Sequence, residues 1–402
     1  MNMELMTTPS DQAFREEVRA FIRSHLSEEV RRRSGIGHHP PCEDDRRWWN
    51  AVLYEQGWAA PNWPVEYGGT GWTPMQQFIF ERECRLADAP ELRWQGLRLF
   101  GPIIYTFGNE EQKRRYLPTI LTGEVQWAQG FSEPGAGSDL VALRTSAVRE
   151  GDEFIVNGQK LWTSEAQFSE MGFFLVRTDA SVKPQAGLSM IIIDMRAPGV
   201  SVRETPMIHG GAATCEVFLD NVRVPVGNLI GELNSGWTLA KFLLGNERTS
   251  SAEIHKAYAD LQRIERIARH EVRGGTALLE QADFRRRLNR LKAEVRALEW
   301  SVLRLLHGAP GRYADAALAS VLKVRGSELQ QALSELAVDA LGVKGLREFD
   351  REEAHTLVEP QAQWPEFVKG VTADLLYLRA CTIFGGSREV QKNIIAKLAF
   401  GF

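Results

Sequence analysis

The residues most able to do chemistry lie in one loop, Trp127–Leu140, which reads Trp-Ala-Gln-Gly-Phe-Ser-Glu-Pro-Gly-Ala-Gly-Ser-Asp-Leu. Its glycines let the backbone approach a flat or bulky ligand closely, and Ser132 and Ser138 supply hydroxyl groups. Gly135-Ala136-Gly137 resembles part of a dinucleotide fingerprint, but that fingerprint opens a helix, whereas strand-like residues follow here. The sequence therefore predicts a ligand-binding loop on an antiparallel sheet.

The strand pattern after this loop is interrupted by two turn signals. Thr145–Arg149 and Phe154–Val156 flank a Gly151-Asp152 turn. Asn157-Gly158 is the strongest short hairpin signal, so we expect a second hairpin with the return strand Gln159–Ser164.

A carboxylate lies on the apolar stripe of a long helix predicted over Trp237–Val272. That stripe consists of Leu239, Leu243, Ile254, Tyr258 and Leu261, and Glu247 falls on it. A glutamate facing a helical core is costly unless it is paired or used. The pattern leaves two interpretations open. One is an internal ion pair with Arg248 or another basic residue, and the other is a general base whose pKa an apolar site raises.

Composition limits the class of protein. A chain of 402 residues holds two or three domains, and 48 basic against 52 acidic side chains argue against a nucleic-acid binder. No apolar run reaches the roughly 20 residues that span a bilayer, and Met1–Ser10 lacks the order of a secretory signal. The four cysteines are scattered, so we expect no disulfide framework and no metal site. The sequence predicts a cytoplasmic enzyme.

The order of elements predicts an α+β fold of three domains, residues 1–124, 125–234 and 235–402. The first domain has helical periodicity, and the second has short strands typical of a β-barrel or sandwich. The third predicts a four-helix bundle. Its members are the long helix, Phe284–His307, Tyr313–Leu341, and a fourth made of Phe367–Thr382 with Glu389–Phe400.

Four segments in order resemble the signature regions of the acyl-CoA dehydrogenase family. These are Trp127–Leu140, Asn157–Ser164, Asn228–Arg248 and Ile383–Lys397. The resemblance covers nearly the whole chain, and within the family it is strongest to the large subunit of pimeloyl-CoA dehydrogenase and to bacterial two-subunit enzymes acting on steroid side chains. It implies that FAD lies between the β-domain and the C-terminal bundle and that the substrate is an acyl-CoA thioester.

The resemblance also assigns roles to single residues. It implies that Trp162 packs against the flavin, although a tryptophan in a strand is otherwise an ordinary core residue. The flavin contacts that it implies are Gln129, Phe131, Ser132, Trp162, Thr163, Ser164, Ser387 and Glu389. The substrate contacts that it implies are Ser138, Arg248 and Gly386.

The base departs from the commonest family pattern. Many members place the catalytic glutamate where this chain has Gly385, whereas others keep it on the long helix in a Glu-Arg pair, which Glu247-Arg248 matches. The resemblance implies that Glu247 removes the α-proton while hydride leaves the β-carbon for flavin N5, giving the trans-2-enoyl-CoA. The backbone N–H of Gly385 and a flavin ribityl hydroxyl would stabilise the enolate oxygen.

Two other functions stay open: a flavin oxidase or monooxygenase of the same fold, and a non-catalytic subunit that completes a partner's FAD site. For the dehydrogenase, the resemblance implies an electron-transfer flavoprotein as the acceptor.

Assembly is predicted from a missing motif. Family homotetramers carry an Arg-x-x-Phe-Gly segment whose arginine reaches the FAD pyrophosphate of a neighbouring subunit, but Arg269–Leu279 contains no Phe-Gly. The glycine-rich loop that contacts the same cofactor is also degraded, at Asp339–Gly345. We therefore expect a second acyl-CoA dehydrogenase-like subunit in an α₂β₂ heterotetramer that supplies the missing cation. The alternative is a homo-oligomer in which Arg269, Arg273 or Lys344 does so.

Overall fold

Helices precede and follow a central sheet, as the sequence predicts. The computed structural model describes residues 8–34, 42–246, 252–306, 315–347, 349 and 365–402. The N-terminal helices are α1 (Pro9–His25), α2 (Glu28–Ser34), α3 (Glu43–Glu55), α4 (Pro74–Leu86), α5 (Gly101–Phe107) and α6 (Glu110–Thr122). A π-helical turn, Gln95–Phe100, leads into α5.

The middle of the chain forms one eight-stranded sheet in the order β6-β7-β3-β2-β4-β5-β8, with β1 paired parallel to β4. Its strands are β1 (Trp127–Gly130), β2 (Ser146–Glu150), β3 (Glu153–Ser164), β4 (Met171–Arg177), β5 (Leu188–Asp194), β6 (Val200–Thr205), β7 (Thr214–Pro225) and β8 (Leu229–Ile230). Side chains from β2, β3, β4, β5 and β7 meet in one apolar core, so the sheet folds over on itself.

The hairpin predicted at Asn157-Gly158 is wrong. The turn at Gly151-Asp152 does join β2 to β3, but β3 then runs without a turn to Ser164 and pairs with β7. Gly158 lies at a register shift in this pairing, and a Cβ there would lie 2.4 Å from the Thr145 hydroxyl oxygen. The glycine therefore permits close packing inside a strand.

The C-terminal helices form a bundle around a central helix, α10. They are α7 (Gly236–Asn246), α8 (Ile254–His270), α9 (Ala282–Leu306), α10 (Asp315–Leu341), α11 (Val371–Tyr377) and α12 (Arg388–Ile395). A short hairpin, β9 (Val272–Arg273) with β10 (Thr276–Ala277), follows α8. Helices α1 and α4 share one apolar core with α8, α9 and α10.

The single long helix predicted over Trp237–Val272 is also wrong. Glu253 has a φ of 48°, a left-handed conformation that a continuous α-helix excludes, so α7 and α8 are separate helices. Leu239 and Leu243 pack on the sheet side, whereas Ile254 belongs to the core of the bundle. The apolar stripe therefore does not continue along one helix, so it no longer supports a core-facing position for Glu247. The family resemblance remains the basis of that assignment.

Candidate functional site

The loop after β1 and the end of β3 lie side by side. Gln129 is opposite Phe173 in the β1–β4 pairing, and the chain then turns through Phe131, which is buried, and Ser132, which is half-buried. The backbone N–H of Leu161 donates a hydrogen bond to the Ser132 carbonyl oxygen over 2.9 Å. The structure thus brings together two segments that the sequence predicted as flavin contacts.

Trp162 is held in an unusual conformation. Its φ is 58°, and it lies at a register shift between Lys160 and Thr163 in the pairing of β3 with β7. Such backbone strain costs about 1–3 kcal/mol in a non-glycine residue and is concentrated at functional sites. The side chain is 54% exposed. The bulge therefore presents an indole ring outward beside the loop that carries Phe131.

The two residues after Trp162 offer hydroxyl groups. Thr163 is fully buried, and its Oγ1 atom makes no hydrogen bond within the described part of the chain. A buried hydroxyl without a partner typically costs about 1–3 kcal/mol. Ser164 is half-buried and pairs with Thr214 of β7. Ser164, rather than the enclosed Thr163, therefore offers a hydroxyl that a ligand can reach.

A buried ion pair, which the sequence analysis missed, joins the loop to β3. The Lys160 ammonium donates to the Glu133 carboxylate (2.8 Å) and to the carbonyl oxygens of Phe131 (3.1 Å) and Leu175 (2.7 Å). Burial lowers the pKa of Lys160 to about 8, although the attraction of Glu133 opposes this shift. Burial alone would raise the pKa of Glu133, but Lys160 and the hydrogen bonds that the carboxylate accepts hold it below its usual value.

The end of β3 also contacts the N-terminal helices and lies near α11. Glu165 forms ion pairs with Arg46 (2.7 Å) and Arg93 (3.5 Å). Burial, reinforced by the carboxylates of Glu91 and Glu165, raises the pKa of Tyr377 to about 12. The Tyr377 ring lies 5.9 Å from the ring of Phe384, between centroids. Tyr377 thus packs beside the phenylalanine that precedes the glycine turn.

That turn contains the predicted catalytic Gly385. Gly385 and Gly386 have φ values of 65° and 88°, which L side chains rarely adopt. A Cβ at Gly385 would lie 3.5 Å from the Lys323 ammonium, which donates to the Cys381 carbonyl oxygen over 3.0 Å. The turn therefore has a buried cation beside it, which the sequence analysis also missed.

The remaining predicted site residues are distributed as follows. Ser387 caps α12 by accepting a hydrogen bond from the Val390 N–H over 3.3 Å, and Glu389 lies exposed in the first turn of that helix. Ser138 is exposed on the loop after β1. Glu247 and Arg248 lie outside the described residues.

The comparisons with known proteins identify the family of the chain. Residues 8–124, 128–222 and 234–400 match the N-terminal, middle and C-terminal domains of acyl-CoA dehydrogenases, in that order. The chain belongs to the acyl-CoA dehydrogenase family. Acyl-CoA dehydrogenase IpdE1 of Mycobacterium tuberculosis is 34% identical over 399 residues, which cover 96% of this chain and 97% of that protein.

Two solved structures extend the likeness to the whole fold. The Tcur3481-Tcur3483 steroid ACAD superposes with a TM-score of 0.83 at 29% identity, covering 98% of both chains. The ChsE4-ChsE5 complex from Mycobacterium tuberculosis gives a TM-score of 0.80 at 32% identity, covering 100% of this chain and 99% of that chain. This chain is therefore an oxidoreductase of the acyl-CoA dehydrogenase fold.

Acyl-CoA dehydrogenases generally use FAD, and the residues at the end of β3 fit a flavin. The exposed indole of Trp162 offers a face for a planar ring, and the half-buried Ser164 offers a hydroxyl for a polar edge. Among the described residues, no group of three or more His, Cys, Asp or Glu side chains could hold a metal ion. No helix in that part of the chain is long and apolar enough to cross a membrane.

The segment Arg269–Leu279, which lacks the Phe-Gly expected from the resemblance, contains the β9–β10 hairpin. The β9–β10 hairpin closes on Gly274 and Gly275, whose φ values of 61° and 81° suit a tight two-residue turn. Arg273 donates to the carbonyl oxygens of Asp339 (2.5 Å) and Ala340 (3.1 Å) at the end of α10.

The other two cations proposed for the pyrophosphate also have partners within the chain. Arg269 pairs with Glu265 over 2.8 Å, and Lys344 pairs with Glu271 over 2.7 Å. Together with Arg273, the three cations that the sequence analysis proposes for the pyrophosphate therefore all have acceptors within the chain.

Proposed function

We propose that this chain catalyses the FAD-dependent α,β-dehydrogenation of an acyl-CoA thioester to the trans-2-enoyl-CoA. The observation that carries the proposal is the juxtaposition of the strained, exposed Trp162 and the half-buried Ser164 with the loop of Phe131 and Ser132. A planar ligand with polar edges fits this arrangement. The family to which the chain belongs supplies the reaction class.

Bound FAD would accept the hydride that leaves the substrate β-carbon. We assign the removal of the α-proton to Glu247, on the basis of the Glu-Arg pair. We assign to the Gly385 N–H a hydrogen bond to the thioester carbonyl oxygen, where negative charge develops as the proton leaves. A backbone donor needs no side chain, so glycine suits this position.

The other predicted contacts divide between the two ligands. We assign Gln129, Phe131, Ser132 and the three residues Trp162, Thr163 and Ser164 to the flavin ring. Ser387 and Glu389, at the start of α12, belong to the cofactor side in the same assignment. Ser138, Arg248 and Gly386 are assigned to the acyl-CoA.

We propose a steroid-derived acyl group as the substrate class. The support is the full-length similarity to a protein described as a steroid ACAD. A panel of straight-chain, branched, dicarboxylyl and steroid acyl-CoA thioesters, assayed anaerobically with an artificial electron acceptor, tests this choice. We expect the steroid thioesters to have the highest kcat/KM. Absence of flavin reduction by every thioester would contradict the dehydrogenase assignment itself.

The same assay separates the other two functions. Rapid reoxidation of the reduced flavin by oxygen would favour an oxidase or monooxygenase, whereas slow reoxidation with transfer to an electron-transfer flavoprotein supports the dehydrogenase. A chain that only completed a partner's site would lose no activity when Glu247 is changed.

We further propose an α₂β₂ heterotetramer in which a second acyl-CoA dehydrogenase-like subunit binds the FAD pyrophosphate. The support is the engagement of Arg269, Arg273 and Lys344 within the chain. The similarity to proteins described as the ChsE4-ChsE5 and Tcur3481-Tcur3483 pairs points the same way. Pyrophosphate charges that lack a cation from this chain would need one from the partner.

A further inference from the structure

The buried pair of Lys160 and Glu133 connects three segments that lie far apart in the sequence. The Lys160 side chain on β3 is fully buried, and its ammonium uses three acceptors: the Glu133 carboxylate, the Phe131 carbonyl oxygen and the Leu175 carbonyl oxygen on β4. Because an ammonium has three N–H donors, every one of them is satisfied. The pair is therefore a complete polar junction inside an apolar sheet.

Glu133 extends this junction along the loop. Its two carboxylate oxygens accept hydrogen bonds from the backbone N–H groups of Arg144 (2.6 Å) and Thr145 (2.9 Å). These bonds bring the two ends of the segment from Glu133 to Thr145 together. The loop that carries Ser138 at its exposed surface is thus closed at its base by one carboxylate.

We call the loop of Phe131 and Ser132, together with the strand end at Trp162, the flavin wall, because these two segments are proposed to contact the flavin. The junction lies behind this wall. Phe131, whose carbonyl oxygen Lys160 binds, belongs to the loop side of that wall. Trp162 follows Lys160 by two positions and belongs to the strand side, and the Leu161 N–H to Ser132 carbonyl bond lies between them. The ammonium therefore links the two sides through the backbone without being part of the exposed surface.

A buried ion pair is weak evidence of stability, because well-packed apolar side chains of similar size often serve a core equally well. We propose that Lys160 and Glu133 are positioning residues, which hold the loop of Phe131 and Ser132 at the distance from Trp162 that an isoalloxazine ring requires. This inference rests on the proposed flavin site. It explains why a polar junction stands where the alternation of β3 calls for an apolar side chain.

The test compares Lys160→Met/Glu133→Gln with a matched control in the C-terminal bundle, Arg263→Met/Asp374→Asn. Arg263 and Asp374 form a similarly buried pair at 2.9 Å. Both double variants of the full chain, in the assembly that binds flavin, are measured for thermal unfolding without cofactor, for FAD affinity, and for the flavin absorption spectrum. Thermal unfolding measures how much stability each double variant loses. FAD affinity and the flavin spectrum measure whether the loop and Trp162 still hold the ring in the same place.

We expect FAD affinity to fall by about tenfold or more in Lys160→Met/Glu133→Gln, which corresponds to about 1.4 kcal/mol, with a shifted flavin spectrum. The control variant should keep the affinity and spectrum of the wild type at a comparable loss of thermal stability. Unchanged FAD affinity and spectrum in the first variant would overturn the inference.

A second readout does not depend on flavin. Arg144 is exposed at the base of the loop, so trypsin can report whether the loop opens there. Glu133→Gln should be cleaved after Arg144 faster than the wild type and the control, and equal cleavage would also overturn the inference. A wild-type assembly, with its partner subunit, that binds no FAD would refute the proposed function, whereas this cleavage rate would still decide whether the pair closes the loop.

Discussion

The two regions proposed to contact FAD, one at its ring and one at the pyrophosphate of a neighbouring subunit's FAD, differ in how far their side chains are engaged within the chain. At the ring end, Trp162 is exposed on a strained backbone, and the nearby strand residue Ser164 is half-buried. At the pyrophosphate end, Arg269, Arg273 and Lys344 are all bound to acceptors of the same chain.

This difference bears on which part of the FAD site the chain supplies by itself. Groups left strained or unsatisfied in a protein alone are those that a ligand completes. Groups already engaged gain less from a ligand, because an existing contact must first be broken. These observations agree with our proposals that this chain holds the flavin ring and that a second subunit supplies the pyrophosphate cation.

The largest effect that we expect is on turnover, and it concerns Glu247, the proposed base. Glu247→Gln removes the proton acceptor while keeping the size of the side chain, so turnover should fall by at least about 10²–10⁴-fold with FAD still bound. The control is Glu253→Gln, at an exposed carboxylate six residues further along the chain. Anaerobic flavin reduction by an acyl-CoA measures both. Activity of Glu247→Gln within about threefold of wild type, far inside that range, would place the base elsewhere.

The next effect is on FAD affinity and concerns Trp162, on the strand side of the flavin wall. Trp162→Gly removes the indole that would cover the ring, so FAD affinity should fall by about tenfold or more, since aromatic contacts add about 0.5–1.5 kcal/mol to the burial of apolar area. The same change relieves the positive φ, so the protein without cofactor should not lose stability. Trp48→Ala, at a tryptophan that is also exposed, serves as the control. If Trp162→Gly binds FAD as tightly as wild type, the ring end lies elsewhere.

A smaller effect is expected at the pyrophosphate end. Replacing Arg269, Arg273 and Lys344 together with alanine should leave FAD affinity of the assembled enzyme within about twofold of wild type, below 0.5 kcal/mol. Stability should fall by about 1 kcal/mol, because Arg273 binds carbonyl groups at the end of α10. FAD titration and thermal unfolding measure the two effects. A severe loss of FAD in this variant would contradict the comparison and support the homo-oligomer.

The smallest effect is a dependence on pH. Since burial lowers the pKa of Lys160 to about 8, against the attraction of Glu133, the ammonium loses its proton in the folded protein as the pH rises through that value. Deprotonation removes one of its three donors, so FAD affinity should fall modestly between about pH 7 and pH 9. Titration of FAD at several pH values measures this. The Lys160→Met/Glu133→Gln variant should lack this component, and an identical profile in both proteins would exclude Lys160 as its source.

Local pattern predicted the neighbourhood of the site but not its geometry. The loop Trp127–Leu140 and the strand around Trp162 could be predicted because glycine spacing and strand composition are local properties. The Asn157-Gly158 hairpin failed because pairing with the distant β7 outweighs a local turn preference. The break between α7 and α8 could not be predicted either, because a glutamate gives no local signal for the left-handed backbone of Glu253.

The residues that were missed depend on contacts between distant segments. Lys160 shares the buried phase of β3 with Phe154 and Val156, and this phase is readable from the sequence. Its acceptors, however, lie after β1 and on β4, so no spacing rule identifies Glu133 as its partner. Lys323 approaches the turn at Gly385 only because α10 packs beside it.

The proposal that two different subunits share the FAD site is tested most directly by the molar mass and flavin content of the purified protein. The chain expressed alone should retain little FAD, and co-expression with an acyl-CoA dehydrogenase-like partner should give an α₂β₂ complex with fewer flavins than subunits and full activity. A stable homotetramer that carries one FAD per chain and is fully active without a partner would contradict the account.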